Sequence, residues 1–274
     1  VSRRREQDGT AGIDAGATLW KLASRREDGD LELLPAGQIE GVRRWLDGRR
    51  PNRLHVTGGG ASQVAAGVGG CGIREVSEFE AWGRGAPLLA RRAGWTLPER
   101  YLLVSLGTGT SILVVEGPVV RRAAGSSLGG GTLLGLGRLL CRAESFAELT
   151  RLAAHGERGR VDLRVGDVYP QGGIGLPPEA TAASFGKLTS REPADLAQGL
   201  MALIGENVGA LCVSVAQAMA VDTIVFGGGT ITGNPTLSEI LRQTVASEGR
   251  EAWFLPDGGF CGAVGAALSG EISA

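Results

Sequence analysis

The sequence predicts an α/β protein of two lobes, and three glycine- and threonine-rich turns carry that expectation. They are Ala11-Gly-Ile-Asp-Ala-Gly-Ala-Thr-Leu-Trp-Lys21, Leu106-Gly-Thr-Gly-Thr-Ser111 behind the apolar run Tyr101–Val104, and Phe226-Gly-Gly-Gly-Thr230 behind Thr223–Phe226. In each, a strand-like run meets residues that let the backbone turn sharply and approach a ligand closely. Hydroxyls and bare backbone at strand ends suit phosphate groups, so the three together point to a nucleotide held between lobes. A chain of 274 residues is also more natural as two domains than as one. The boundary falls before Tyr101, giving lobes 1–100 and 101–274.

The elements follow in order. Residues 11–34 read as a hairpin with a polar turn at Arg25–Asp30 and a return through Leu31–Leu34. Ile39–Leu46 has helical spacing, and Arg53–Thr57 is a short strand ending in Gly58-Gly-Gly60. Glu75–Phe79 reads as a strand or its end, and Ala81–Ala93 as a helix. In the second lobe, Tyr101–Val104 and Ser111–Glu116 are strands around the second turn, joined by Gly117-Pro118 to Val119–Ala123. A glycine- and serine-rich loop then runs into a helix over Leu133–Leu140. Ser145 and Glu148 have capping-box spacing ahead of a helix over Phe146–Ala154. Gly156–Pro178 is polar and rich in Gly and Pro, which suits either a lid or a surface loop. A long helix spans 193 or 194 to Met219, with a break expected near Gly205 or Gly209. Thr223–Phe226, Leu237–Ser247, Trp253–Leu255 and a helix from Ala263 complete the lobe.

Composition narrows the function. A formal charge of -1 argues against a nucleic-acid footprint, and Arg3–Arg5, Arg43-Arg44 and Arg49-Arg50 read as solvated surface. The 46 glycines show no collagen period. No run resembles a signal peptide or a membrane span, which makes a cytoplasmic protein the expectation. Cys71, Cys141, Cys212 and Cys261 lie far apart, no Cys-x-x-Cys occurs, and the histidines are His55 and His155. That set suits buried free thiols rather than a zinc site.

Asp14 offers a hard oxygen to Mg2+ bound with nucleotide phosphates; alternatively it would only bond the backbone of its turn. Lys21 lies just past that turn and suits a phosphate contact or a surface strand. Glu78, expected at a strand end beside Glu80, is a candidate general base or a helix-capping acid. Of Arg121 and Arg122, one at most can face an anionic substrate from a regular strand. Gly129-Gly-Gly131 ahead of an apolar helix would present free N–H groups to an anion. No run matches a P-loop or a full dinucleotide-binding fingerprint.

These residues resemble the type II pantothenate kinase family, the group that includes the staphylococcal and eukaryotic enzymes, within the actin/hexokinase/Hsp70-like superfamily. The resemblance runs from Gly12 to Leu268. Its specific pieces are Gly12–Lys21, Leu106–Ser111, Arg122–Leu136, Val161–Tyr169, Ala183–Gly186 and Gly259–Ala266. It implies an actin-like ATPase (ribonuclease H-like) fold of duplicated mixed β-sheets flanked by helices, with nucleotide in the inter-lobe cleft. The implied reaction is ATP-dependent phosphorylation of pantothenate to 4'-phosphopantothenate, the first step toward coenzyme A, with ATP and Mg2+. Matched by motif, Glu78 is the catalytic base, Arg122 and Ser111 are substrate contacts, and Asp14 serves the metal. Gly16, Thr18, Lys21, Gly107, Thr108, Gly109, Thr110, Gly129, Gly130, Gly131, Gly228 and Gly229 would surround the nucleotide.

The resemblance further implies a homodimer through the long helix at Ala202–Met219, whose composition also suits filling the cleft between lobes. It raises CoA or acyl-CoA as a ligand, but Tyr169–Gly175 differs from the eukaryotic pattern, so no regulatory response is read from it. Ala17 stands where the family usually has a second glycine, which would weaken ATP binding if the turn needs positive φ there. Two alternatives stay open: a kinase of an amino sugar or other small alcohol on the same fold, and a non-catalytic nucleotide-binding regulator.

Overall fold

The computed structural model describes residues 9–25, 30–49, 51–68, 72–172, 175 and 177–269. Cys71, Arg3–Arg5, Arg50 and part of the Tyr169–Gly175 stretch lie outside them.

In chain order, the first lobe contains β1 (Thr10–Ala15), β2 (Trp20–Arg25), β3 (Leu31–Gly37), α1 (Ile39–Gly48), β4 (Arg53–Thr57), α2 (Ala61–Gly67) and β5 (Gly72–Glu75). Then comes α3 (Glu78–Arg92), followed by β6 (Arg100–Leu106), β7 (Thr110–Glu116), β8 (Val119–Ser126), α4 (Gly130–Cys141) and α5 (Phe146–Ala153). An excursion holds β9 (Leu163–Arg164), α6 (Val165–Val168) and β10 (Thr181–Ala183). The chain continues through α7 (Pro193–Ala218), β11 (Thr223–Gly227), α8 (Pro235–Ala246), β12 (Glu251–Phe254) and α9 (Cys261–Leu268).

The two large sheets repeat one topology. The first has the order β3-β2-β1-β4-β5, and the second, read from its other edge, β8-β7-β6-β11-β12. In both, three antiparallel strands are extended by two parallel ones. The parallel strands need crossovers, which run through α1 and α2 in the first sheet and through α7 and α8 in the second. This is the two-lobed α/β plan expected from the turns, with the duplicated sheets that the family resemblance implies.

Alternation along the strands sorts side chains into three cores. Ala11, Ile13, Leu54 and Val56 face α1 and α2 on one outer side. Leu102, Val104, Ile112 and Val114 face α4, α5, α7 and α8 on the other. Between the sheets, Leu103, Leu113, Val115 and Val225 meet α3 and α9. There the helices are exchanged: α3, which follows the first sheet, packs under the second, and α9, which follows the second, crosses β1 and β4 of the first. His55 on β4 ties α9 down, its Nδ1–H donating to the Ala266 carbonyl at 3.0 Å.

Several sequence expectations need correction. β5 ends at Glu75, and Glu78 opens α3 instead of closing a strand. The helix α7 runs unbroken for 26 residues through Gly205 and Gly209. Its glycines face Ile240 and Thr244 of α8, so they mark close helix packing, not a kink. Nor does α7 fill the inter-lobe cleft; it lies outside the second sheet. It is also the helix among the described residues long and apolar enough to cross a membrane, and it is the spine of a packed core. Before α5, Ser145 Oγ does accept from the Glu148 N–H, but Glu148 reaches the amide of Glu144, so the capping box is not reciprocal. Cys141, Cys212 and Cys261 are buried free thiols.

Candidate functional site

Equivalent corners of the two sheets build the site. At the end of β1 the chain turns through Gly16–Leu19 into β2, and at the end of β6 it turns through Gly107–Gly109 into β7. The tips of these turns meet across the cleft, with Thr18 Oγ1 and Thr108 Oγ1 2.9 Å apart. The ends of β4 and β11 form a second matched pair. Gly58 has φ +88° and Gly228 φ +115°, a region L-residues avoid. Two residues beyond, the Gly60 amide donates to Ala15 O at 2.8 Å, and the Thr230 amide to Leu106 O at 3.2 Å. Gly58–Gly60 therefore stands in the first lobe where Gly228–Thr230 stands in the second. From sequence this run reads as the glycine end of a strand ahead of a helix in an α/β lobe, and not as a fourth turn of the site, although its glycines after a strand repeat the third turn.

Asp14 occupies the centre. It is 6% exposed, and burial pushes its carboxyl up from 3.8 to about 6, while Lys21 draws it down and the Glu78 charge adds to the rise. These interactions bring Asp14, Lys21 and Glu78 into one electrostatic neighbourhood. The carboxylate fits against two glycines: a Cβ at Gly262 would lie 2.7 Å from Oδ2, and one at Gly58 2.9 Å from Oδ1. Lys21 is paired with Asp14 across β1–β2, and a Cβ at Gly229 would sit 3.8 Å from its Nζ. The lysine thus spans from the first turn to the third. Gly16 is half-buried, and Ala17 is exposed and keeps negative φ, so its methyl does not strain the turn.

The second lobe corrects one reading. The amides of Gly130 and Gly131 donate to Gly107 O and Thr108 O at 2.8 and 2.9 Å, and Thr230 Oγ1 also bonds Gly107 O at 2.8 Å. They are not free anion donors; they fasten the start of α4 to the second turn. Gly129 makes the close approach, since a Cβ there would come within 2.7 Å of Thr108 O. Thr110 Oγ1 is spent on Leu128 O at 2.7 Å.

On β8, register separates the two arginines. Arg122 pairs with Leu113 and shares its inter-lobe face, whereas Arg121 faces away and pairs with Glu116 at 3.0 Å. A bulge at Ala123 leaves Gly125 opposite Ser111, and the Arg122 guanidinium folds over Gly125. Ser111, Gly125 and Arg122 thereby gather on the face that looks into the cleft. Glu78 is exposed in the first turn of α3.

The donor set suits a nucleotide with a hard cation. Threonine hydroxyls, a lysine and glycine turns meet one buried carboxylate, and no cluster of three or more His, Cys, Asp or Glu occurs among the described residues. A cation at Asp14 would therefore draw its remaining ligands from phosphate oxygens and water, as Mg2+ commonly does.

A family model described as Fumble matches residues 92–269. The type II pantothenate kinase of Oceanobacillus iheyensis is 36% identical over 264 residues, covering 94% of this chain and 98% of that protein. That of Staphylococcus haemolyticus is 31% identical over 261 residues, covering 93% and 97%. Among solved structures, the activator of 2-hydroxyisocaproyl-CoA dehydratase from Clostridium difficile matches with a TM-score of 0.62 at 15% identity, covering 95% of this chain and 93% of that one. A ROK family glucokinase from Streptomyces griseus gives 0.55 at 16% identity, covering 94% and 98%. At such identities these structures speak for the fold alone, and the fold is the two-lobed actin/hexokinase/Hsp70-like one.

Proposed function

The chain belongs to the type II pantothenate kinase family, and from that premise we propose how its residues divide the work of phosphorylating pantothenate with ATP. The chain is a kinase, and the observation that carries the reading of its site is the Thr18–Thr108 contact, which closes two phosphate-compatible turns on each other beside Asp14. Glu78 takes the proton of the substrate's primary hydroxyl as the new bond to phosphorus forms. Arg122, with Ser111 beside Gly125, holds the pantothenate carboxylate and neighbouring polar groups. Lys21 meets phosphate as a point charge, and Gly16, Thr18, Gly107–Thr110, Gly129 and Gly228–Gly229 line the nucleotide. Gly130 and Gly131 support that lining from behind. Mg2+, when bound with the nucleotide, would neutralise phosphate charge, and Asp14 is the residue to orient it.

We also assign the lobes as 1–100 and 101–274, with α3 and α9 exchanged between them in space. The homodimer belongs to this proposal: the outward strip of α7, including Asn207, Ala210 and Ser214, is exposed and small enough for close helix contact. CoA or acyl-CoA as a further ligand belongs to this proposal too, with no regulatory effect assigned.

The test is a purified-protein assay with ATP, Mg2+ and pantothenate, which should yield 4'-phosphopantothenate. Glu78→Gln should keep nucleotide binding while lowering kcat by about 10²–10⁴-fold. Near-wild-type turnover in that variant would remove Glu78 from the base role.

A further inference from the structure

We propose that Trp82 is a positioning residue for phosphoryl transfer, a buried strut that fixes Asp14, the third glycine turn and the Glu78 helix relative to one another. The proposal rests on the kinase reading and extends it to a residue that contacts no substrate. Trp82 sits one turn beyond Glu78 on α3 and is 3% exposed. Its indole reaches two corners of the site. On one side, a Cβ at Gly262 would lie 3.1 Å from Trp82 Nε1 and 2.7 Å from Asp14 Oδ2, so both groups crowd the same bare stretch of α9. On the other, a Cβ at Gly227 would lie 3.1 Å from ring atom Cζ3 and 3.5 Å from Cη2. Gly227 begins the third turn, and the next amide, of Gly228, is held by Gly258 O at 3.1 Å. The backbone of Trp82 is fastened too, its carbonyl accepting the Cys261 thiol at 3.3 Å.

Three pieces of the site thus lean on one rigid ring. Two come from opposite sheets and the third is the helix that presents the base. The indole is long enough to approach both glycines; a phenyl ring is shorter and lacks the pyrrole nitrogen that lies against Gly262. Gly262 and Gly227 are bare where the ring approaches, so the contacts leave little slack. Small displacements of reacting groups have large kinetic consequences, about a hundredfold for 1 Å.

Trp82→Phe keeps an apolar ring in the core and is expected to fold. It should lower kcat about ten- to hundredfold with KM for pantothenate changed less than about threefold. Gly262→Ala, which inserts a methyl between the indole and Asp14, should show the same split. Trp82→Leu, which shortens the strut further, should lower kcat at least as much as the phenylalanine. MgADP binding by calorimetry supplies a readout independent of turnover and should weaken in Trp82→Phe. If the wild type binds MgADP but phosphorylates no pantothenate, the kinase reading fails and Trp82 is judged by the ADP affinities alone. A lowered melting temperature with kcat, KM and ADP affinity all within about twofold of wild type would mean Trp82 only fills space and would overturn the proposal.

Discussion

The two halves of the molecule share a backbone plan and differ in the chemistry placed on it. Asp14 in β1 pairs with Lys21, whereas the matching pair in the second sheet is Ser105 with Ser111. Gly58 and Gly228 both take positive φ at the ends of matching strands. On the exchanged helices, Gly85 lies against Cys261 O and Gly265 against Ala81 O, so each helix uses a glycine to reach the backbone of the other. The next positions break the likeness: the helix of the first half carries Trp82 where α9 carries Gly262. The duplicated frame brings four turns to one point, and the substitutions within it decide that charge lies on the first lobe.

The strongest way to test the frame is its shared joint. An added methyl at Gly265 or Gly85 would overlap backbone carbonyl oxygen, which no rotamer change relieves. Gly265→Ala and Gly85→Ala should each cost about 3 kcal/mol or more, outweighing the helix propensity that alanine gains. Urea unfolding measures this. If one of the two is tolerated and the other is not, the helix pair is not a symmetric joint.

Next in size is the asymmetric charge. Asp14 retains a proton in the folded chain up to about pH 6, against 3.8 when unfolded. The folded chain therefore binds more protons between these values, so this group's contribution is complete below 3.8 and is lost as pH rises through about 6. Asp14→Asn should abolish turnover yet make the metal-free protein about 2–3 kcal/mol more stable than wild type at pH 8. The gain should shrink as pH falls toward 4. Denaturation in EDTA across that range checks it, and a gain independent of pH would contradict the assignment of the shift to Asp14.

The smallest effect separates neighbours on one strand. Arg121→Ala removes an exposed ion pair with Glu116 and should leave the urea midpoint and the pantothenate KM close to wild type. Arg122→Ala should raise that KM about tenfold or more. Equal KM values would show that the bulge at Ala123 does not select the inward arginine.

The turns were legible because glycine and threonine at a strand end are local signals, whereas the duplicated sheets were foreseen only through the family resemblance. Glu78 was misplaced because Val76 and Phe79, β-branched and aromatic, are strand-favouring residue types, and Ser77 caps α3 without using its side chain. The amides of Gly130 and Gly131 were misread because their partners, Gly107 and Thr108, lie more than twenty residues away in sequence. Trp82 escaped notice since an aromatic residue in an apolar helix is ordinarily core. Glycines at 85 and 265 were the available sign that two helices touch without side chains between them.

The exchange of α3 and α9 also orders how the protein can be made. β1 leaves the ribosome early, but the helix that covers its inner face is translated only after the whole second sheet. Until then Asp14 lies on an uncovered sheet, and contacts this distant in sequence form slowly. The first lobe thus lacks part of its own core until α9 is made. A chain stopped before α9 would present the nucleotide turns but not the buried carboxylate between them, so synthesis itself withholds the assembled site until the second lobe is complete.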